Sequence, residues 1–576
     1  MVFDDIIMYT DNINQQIVQA LLRMHHIKYV IVSPGGTNPA MIISLQGDPY
    51  FTLYSCVDER SAAYMACGLS EQVGEPVALC CTGATASRNY MPALTEAYYR
   101  KLPIVVITCS RPNSYVDQLM PQVTNRNIYP ADILKEGVHL QNIKDKNDFC
   151  DVEYKVNKAL LELKHHGGGP VHLNVEVLSQ TCTTLCLPQV SKIGRITYED
   201  SFPEIPNGKI AIFIGSHKNF NEAESNAIED FCESYNAVVL KDHTSGYYGK
   251  YAVNYSLIGT QIHKFECSRF DLLIHIGEVS GDYLTFENIS AKYVWRVNED
   301  GEIRIRFGKL NYVFEMSDIF FFKHMTNSSF PKSTQLYESL HMMYDNLYHL
   351  IPELPLCHMY LAYKLAPIMP KGCVIHFAIL NALRSWNFFE LNKTIKTNSN
   401  VGGFGIDGCS SSLIGASLSN RGKIFYLITG DLAFFYDLNS LGNKHITNNI
   451  RIILVNDGRG AEFCHYMFPK YEEDVNEFVA GAGHFGNQST NLVKDYAKNL
   501  GFDYYQAYNK KEFDSLSNII TDPDISDKPI LFEIFTDVDN QSDSWKMISN
   551  LAECTFQEKT NTFIRNGLRK IKHAIK

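Results

Sequence analysis

No apolar run in this chain approaches the roughly 18 residues that a membrane-spanning helix needs, so no bilayer-crossing segment is expected. An excess of basic charge is missing too, with 52 Lys and Arg facing 63 Asp and Glu for a formal net charge of -11. That argues against a nucleic-acid partner, because phosphate binding needs a concentrated basic field. The one basic cluster, IRNGLRKIKHAIK, reads either as a solvated last helix or as an amphipathic helix on a membrane surface. The opening MVFDDIIMYTDNINQQ carries acids where a secretory signal needs bases, which points to the cytoplasm. Nor do the 15 cysteines form a metal cluster. Cys80 and Cys81 in PVALCCTG and Cys109 in VVITCS sit inside apolar runs as small hydrophobes. Cys182 and Cys186, the nearest approach to a ligand pair, have no partnering Cys or His cluster.

What is present is a globular composition, 45% apolar and 20% charged, in 576 residues, enough for several cores. Short β-branched runs alternate with amphipathic stretches along the whole chain, the signature of strand-helix-strand units and parallel sheets. YVIVSPGG, PVALCCTG and IVVITCSRP mark the first third; KIAIFIGS, AVVLKD, FDLLIHIGE and AKYVWRVNEDG the second; CVIHFAIL, KIFYLITGD, IRIILVNDG and PILFEIFTD the last. The fold class is α/β, three consecutive doubly wound parallel-sheet domains, expected at residues 1–186, 209–345 and 346–576. The polar, proline-bearing block 187–208 reads as a linker.

Ligands of open parallel sheets bind outside the carboxyl ends of the strands. KIFYLITGD and IRIILVNDG both end there, so Asp431 and Asp457, 26 residues apart with LAFFYDLNSLGNK as the crossover helix, can face one crevice. Two hard carboxylate oxygens and a loop carbonyl suit Mg²⁺ bound with a substrate diphosphate. Glycines at 430, 458 and 460 leave room for tight turns and for a phosphate against the backbone. Asn448 and Asn449 precede their strand and lie at the wrong end of the sheet.

GDLAFFYDLN followed by ILVNDGRG resembles the metal and diphosphate motif of thiamine diphosphate enzymes, and its spelling is most similar to that of the menaquinone-pathway SEPHCHC synthases, the MenD type. The resemblance implies thiamine diphosphate and Mg²⁺ as cofactors, with Asp431 as first metal ligand, Asp457 as second and the backbone oxygen of Arg459 as third. Gly430, Leu432 and Ala433 would border the cofactor. That family usually has Asn where this chain has Asp457, and a carboxylate there adds negative charge beside a diphosphate. SPGGTN, VDERSAAYMACGLSE and CTGATASRNYMPALTEAYYRKLPIVVITCSRP resemble, in order and spacing, the pyrimidine-binding domain of the same superfamily. Residues 1–186 would then bind the pyrimidine and 346–576 the diphosphate.

The resemblance puts forward Glu59 as the catalytic carboxyl that exchanges a proton with the far side of the cofactor's aminopyrimidine. After FTLYSCVD and before a helix rich in Ala and Met it is expected to be poorly solvated, which strengthens its hydrogen bond. Asp58, Glu59 and Arg60 also read as a charge cluster at a helix N-terminus. SNVGGFGIDG resembles the segment that supports the bent cofactor, with Ile406 as the apolar wedge and the backbone oxygen of Gly405 near the aminopyrimidine. Ser410, Ser411 and Ser412 either donate to the diphosphate or cap the next helix. Because the superfamily builds each site from two subunits, a homo-oligomer with active sites at the interface is implied, dimer or tetramer.

SEPHCHC synthases handle 2-oxoglutarate and isochorismate through arginines and a lysine. Read across, GGTNP puts Thr37 or Asn38 at a basic position, GEVSGDY gives Asp282 and Tyr283 for a basic pair, and SNVGG has Val401 where an arginine is expected. Arg111 and Gln122 are kept, and Arg384 in NALRSWN could compensate. Losing several charge-assisted hydrogen bonds, each about 1.5–3 kcal/mol, would weaken dicarboxylate binding by orders of magnitude. The implied activity is decarboxylation of a 2-oxo acid with transfer of its acyl or aldehyde unit to a carbonyl or enone acceptor. A place in specialised, for example surface-polysaccharide, biosynthesis is suggested by analogy. Arg111 binds a substrate or makes a structural ion pair, and His484 with Phe485 closes over the cofactor or is a buried structural histidine. Acetolactate-synthase-like condensation of pyruvate, SEPHCHC synthesis itself and a non-catalytic cofactor-binding relative are the alternatives.

Overall fold

The structure, a computed structural model, describes residues 7–261, 269–282, 286–327, 329–460, 462, 465 and 489–552. His484, Phe485, Tyr283 and the basic C-terminal cluster lie outside the described residues. The chain divides into two compact units, residues 1–195 and 196–576.

The first unit holds β1 (Tyr29–Val32), β2 (Thr52–Ser55), β3 (Val77–Thr82), β4 (Ile104–Ser110), β5 (Glu136–Leu140) and β6 (Val171–Glu176). They form one parallel sheet in the order β2-β1-β3-β4-β6-β5. Strand β4 is buried from end to end, as a parallel strand covered by helices on both faces must be. The two-residue period shows in β3. Ala78 and Cys80 enter one core with Val30, Val105 and Leu160, while Val77, Leu79 and Cys81 enter the opposite core with Ala62, Ala66 and Leu94.

A second sheet contains β7 (Gly194–Ile196), β8 (Ile210–Ile214), β9 (Val238–Lys241), β10 (Ala252–Asn254), β11 (Arg269–Ile276), β12 (Ser290–Val297) and β13 (Tyr312–Phe314), in the order β10-β9-β8-β11-β12-β13-β7. A third sheet contains β14 (Val374–Phe377), β15 (Lys396–Ser399), β16 (Phe425–Gly430), β17 (Ile450–Asn456), β18 (Asp503–Ala507) and β19 (Ile530–Phe535), all parallel, in the order β15-β14-β16-β17-β19-β18. Three doubly wound parallel sheets are thus the architecture.

The block 187–208 carries β7, whose Ile196 carbonyl accepts the Glu315 N–H at 2.8 Å, and the helix Gln335–His349 spans residue 345. One detail differs from the sequence reading. The crossover after β16 is a six-residue helix, Asp431–Tyr436, and a 3-10 turn, Leu438–Gly442, because Asp437 leaves the helix to accept hydrogen bonds from Ser411. Among the described residues no helix is long and apolar enough to cross a membrane.

Candidate active site

In the third sheet the chain moves from β14 outward to β15 and then returns to the other side of β14 as β16. The connections leaving β14 and β16 diverge, and such a reversal opens a crevice at the carboxyl edge. The helix Asn381–Asn387 stands on one flank and the helix Asp431–Tyr436 on the other.

Asp431 is the first residue of its helix and only 1% exposed. Its Oδ1 accepts the N–H of Leu432 at 2.7 Å, and its Oδ2 accepts the N–H of Gly458, from the loop after β17, at 2.6 Å. The two strand ends are therefore tied together. Gly458 and Gly460 hold φ of +75° and +66°, and a Cβ on Gly460 would fall 2.2 Å from Leu432 Cδ1, so this loop has no room for a side chain there. Asp457 is half-buried, and its Oδ1 accepts the Arg459 N–H at 3.0 Å in an Asx turn. Asp431 and Asp457 carry carboxylates on the loops after β16 and β17, and with a loop carbonyl such as that of Arg459 they are hard oxygen donors of the type that suits Mg²⁺.

Behind this loop stand residues that sequence reasoning missed. Asn456 accepts the Gly458 N–H through Oδ1 at 3.1 Å and donates through Nδ2 to Glu533 Oε1 at 2.7 Å. Tyr504 donates its hydroxyl to the other Glu533 oxygen at 2.7 Å. Burial pushes the Glu533 carboxyl above the usual range. The lone acid inside the apolar run LFEIF was the available signal. His358 is buried beside Gly430, where a Cβ would sit 3.6 Å from its Nε2, and burial pushes its imidazole down to about 4, so it is neutral at ordinary pH.

Gly405 and Ile406 lie half-buried in the loop between β15 and the helix Cys409–Ser417. The Ile406 carbonyl accepts the Cys409 thiol at 3.5 Å. Ser411 gives both its N–H, at 2.6 Å, and its hydroxyl, at 2.8 Å, to Asp437. The buried Ser410 hydroxyl has no partner among the described residues. Arg384 is not an available compensating base: it is 1% exposed, and its Nη1 donates to Glu462 Oε1 at 2.6 Å.

At the carboxyl edge of the first sheet, Glu59 opens the helix Glu59–Val73 just after β2. Asp58 is the cap, accepting the Ser61 N–H at 3.0 Å, which leaves the Glu59 carboxylate with one long contact, 3.4 Å from Asn89 Nδ2. The expectation of a poorly solvated Glu59 is not met within this chain, where it is half-exposed. In the neighbouring stretch of chain Tyr54, Val57, Tyr64 and Met65 are exposed.

Thr37 and Asn38 are structural in their bonding. Thr37 donates to the Cys109 carbonyl at 2.6 Å and meets the Thr82 hydroxyl. Asn38, wholly buried, donates to the Ser33 carbonyl at 3.0 Å and accepts the Gly35 N–H at 2.8 Å. Arg111 and Gln122 are exposed. The cation that the sequence reading overlooked is Arg126, 3% exposed, with Nε on Asn174 Oδ1 at 2.9 Å, Nη2 on Ser110 Oγ at 2.6 Å and Nη1 on the Thr124 carbonyl at 3.1 Å. An arginine inside the uncharged run QVTNRN gave little sign of burial.

Residues 12–128 match the family model described as the N-terminal binding domain of thiamine pyrophosphate enzymes. Over 552 residues the chain is 30% identical to a 2-succinyl-5-enolpyruvyl-6-hydroxy-3-cyclohexene-1-carboxylate synthase of Bacteroides fragilis, covering 92% of this chain and 97% of that protein. Proteins of the same name from Flavobacterium psychrophilum and Porphyromonas gingivalis are 29% and 25% identical, over 89% and 88% of this chain and 93% and 92% of theirs.

Proposed function

The chain belongs to the 2-succinyl-5-enolpyruvyl-6-hydroxy-3-cyclohexene-1-carboxylate synthase family of thiamine diphosphate- and Mg²⁺-dependent enzymes, and from that premise we propose that it decarboxylates a 2-oxo acid and transfers the remaining acyl or aldehyde unit to a carbonyl or enone acceptor. The observation that carries the proposal is the buried Asp431–Gly458 link, which brings two strand-end acids to one carboxyl edge. When bound, thiamine diphosphate supplies the carbon nucleophile and electron sink that such a decarboxylation needs.

Asp431, Asp457 and the Arg459 carbonyl would hold Mg²⁺, which would supply the charge that binds the cofactor's diphosphate, and Gly430, Leu432 and Ala433 would border it. Asn456, braced by Glu533, keeps the Gly458 N–H turned toward Asp431. Ile406 supports the cofactor from the opposite loop. Glu59 holds and returns a proton at its carboxyl oxygen, and the apolar residues around it are the surface that a second copy covers, which would remove water from that carboxylate. We place the protein in the cytoplasm as a homo-oligomer.

SEPHCHC synthesis itself is the second reading, favoured by the similarity along nearly the whole chain. Disfavouring it are the pairing of Arg384 with Glu462 and the internal bonding of Thr37 and Asn38. The deciding experiment is CO₂ release from pyruvate, 2-oxoglutarate, phosphonopyruvate and branched-chain 2-oxo acids, with and without isochorismate, beside Glu59→Gln. Consumption of one acid by wild type alone supports the proposal. Consumption of 2-oxoglutarate only with isochorismate establishes the second reading, and unchanged turnover in Glu59→Gln defeats the role given to that residue.

A further inference from the structure

Arg384 sits on the helix directly after β14, at the strand reversal. It is held there from the central sheet, where His243 Nε2 lies 3.0 Å from the Trp386 carbonyl and the His243 N–H donates to Asn387 Oδ1 at 3.0 Å. Leu383 fills the space that a Cβ on Gly281 would need, so the helix has little freedom to turn. Glu462 lies three residues beyond Arg459, in the segment leaving β17. The pair therefore joins the helix after β14 to the segment after β17 that carries the proposed metal ligands Asp457 and Arg459.

Only one Glu462 oxygen faces Arg384. The other, Oε2, is buried and has no hydrogen-bond partner among the described residues. Buried polar atoms are nearly always paired, so an unfilled carboxylate oxygen beside a cofactor crevice marks a place where a ligand donates. The pair carries no net charge to attract an anion, and His465 nearby is held neutral by burial and by Arg384, its imidazole pushed down to about 4.

We infer that Glu462 is a specificity-determining residue: it occupies on Arg384 the place of a substrate carboxylate, and its free oxygen receives an uncharged hydrogen-bond donor, a hydroxyl, from the substrate. The inference rests on the cofactor-site reading above. It names the substrate class as a hydroxylated compound, not a dicarboxylate, at this point of the crevice.

The test is calorimetric binding to the full-length protein loaded with thiamine diphosphate and Mg²⁺, in a Glu59→Gln background so that neither probe is consumed. The probes are 2-oxoglutarate and 5-hydroxy-2-oxopentanoate, which differ only in a terminal carboxylate against a hydroxymethyl group. With Glu462 in place, the hydroxylated probe should bind at least about tenfold tighter, the worth of one hydrogen bond to a charged group. Glu462→Gln should abolish or reverse the preference, because a neutral amide no longer offsets the Arg384 charge, and adding Arg384→Met should cancel any gain in 2-oxoglutarate binding. If Glu462→Gln does not fold, the preference with Glu462 in place decides alone. Equal binding, a preference for 2-oxoglutarate, or no measurable binding of the hydroxylated probe overturns the inference. Failure of the protein with Glu59 intact to bind thiamine diphosphate overturns the cofactor-site reading instead.

Discussion

The first and third sheets share one strand order, since β2-β1-β3-β4-β6-β5 and β15-β14-β16-β17-β19-β18 are the same path, yet their carboxyl edges are completed to different degrees. On the third sheet Asp431 is buried, bonded to two backbone N–H groups and backed by Asn456, Glu533 and Tyr504. On the first, Glu59 is half-exposed, with one long contact and a fringe of exposed apolar side chains. A shared path fixes where loops emerge. Local side chains decide whether an edge is closed by its own chain or left to be covered.

The sharpest way to break that comparison is to exchange its phenotypes. Glu59→Gln should reduce turnover by about 10²–10⁴-fold, the usual worth of a general acid-base group. Stability should stay within about 0.5 kcal/mol, as for an exposed position, by denaturant unfolding. Asp431→Ala should do both kinds of damage. It removes Mg²⁺-dependent cofactor binding, and by leaving the Gly458 N–H without its shortest acceptor it lowers stability by about 1–3 kcal/mol. A Glu59 variant that unfolds, or an Asp431 variant as stable as wild type, would contradict the contrast.

Acid sharpens it next. His358 and His376, in the third-sheet region, are both pushed by burial to about 4. Since their folded values lie below the ordinary imidazole value of about 6.5, their contribution is complete above that pH and is lost as pH falls toward 4, by up to about 1.4 kcal/mol per unit for each group. Hydrogen exchange in β14 and β16 should therefore accelerate between pH 6.5 and 4 beyond its intrinsic dependence, and His358→Gln should flatten the slope. The smallest effect concerns the open edge. Val57 is 76% exposed, and Val57→Asp should leave the folded chain's stability unchanged while weakening self-association in sedimentation.

The apolar runs made the interior strands readable, as in VALCCT and IRIILVN, where burial on both faces removes polar alternation. The short polar edge strands Lys396–Ser399, Glu136–Leu140 and Asp503–Ala507 were not readable, because few of their side chains enter a core. At the site, Asp431 and Asp457 were legible from their place at strand ends. Asn456, Glu533, Glu462 and Arg126 were not, because their roles depend on contacts that no spacing encodes: 77 residues separate Asn456 from Glu533, and 78 separate Arg384 from Glu462. Thr37 and Asn38 stood where a substrate group was expected, and only the bonding shows that Asn38 closes its own loop while Thr37 ties that loop to β3 and β4.

The exposed fringe beside Glu59 has a consequence in mass action. If another copy of the chain must cover it before the carboxylate meets the cofactor, assembly and cofactor uptake are linked equilibria, and each ligand raises the affinity for the other. Dilution alone should then loosen thiamine diphosphate, and saturating thiamine diphosphate should hold the oligomer together at concentrations where the cofactor-free protein falls apart.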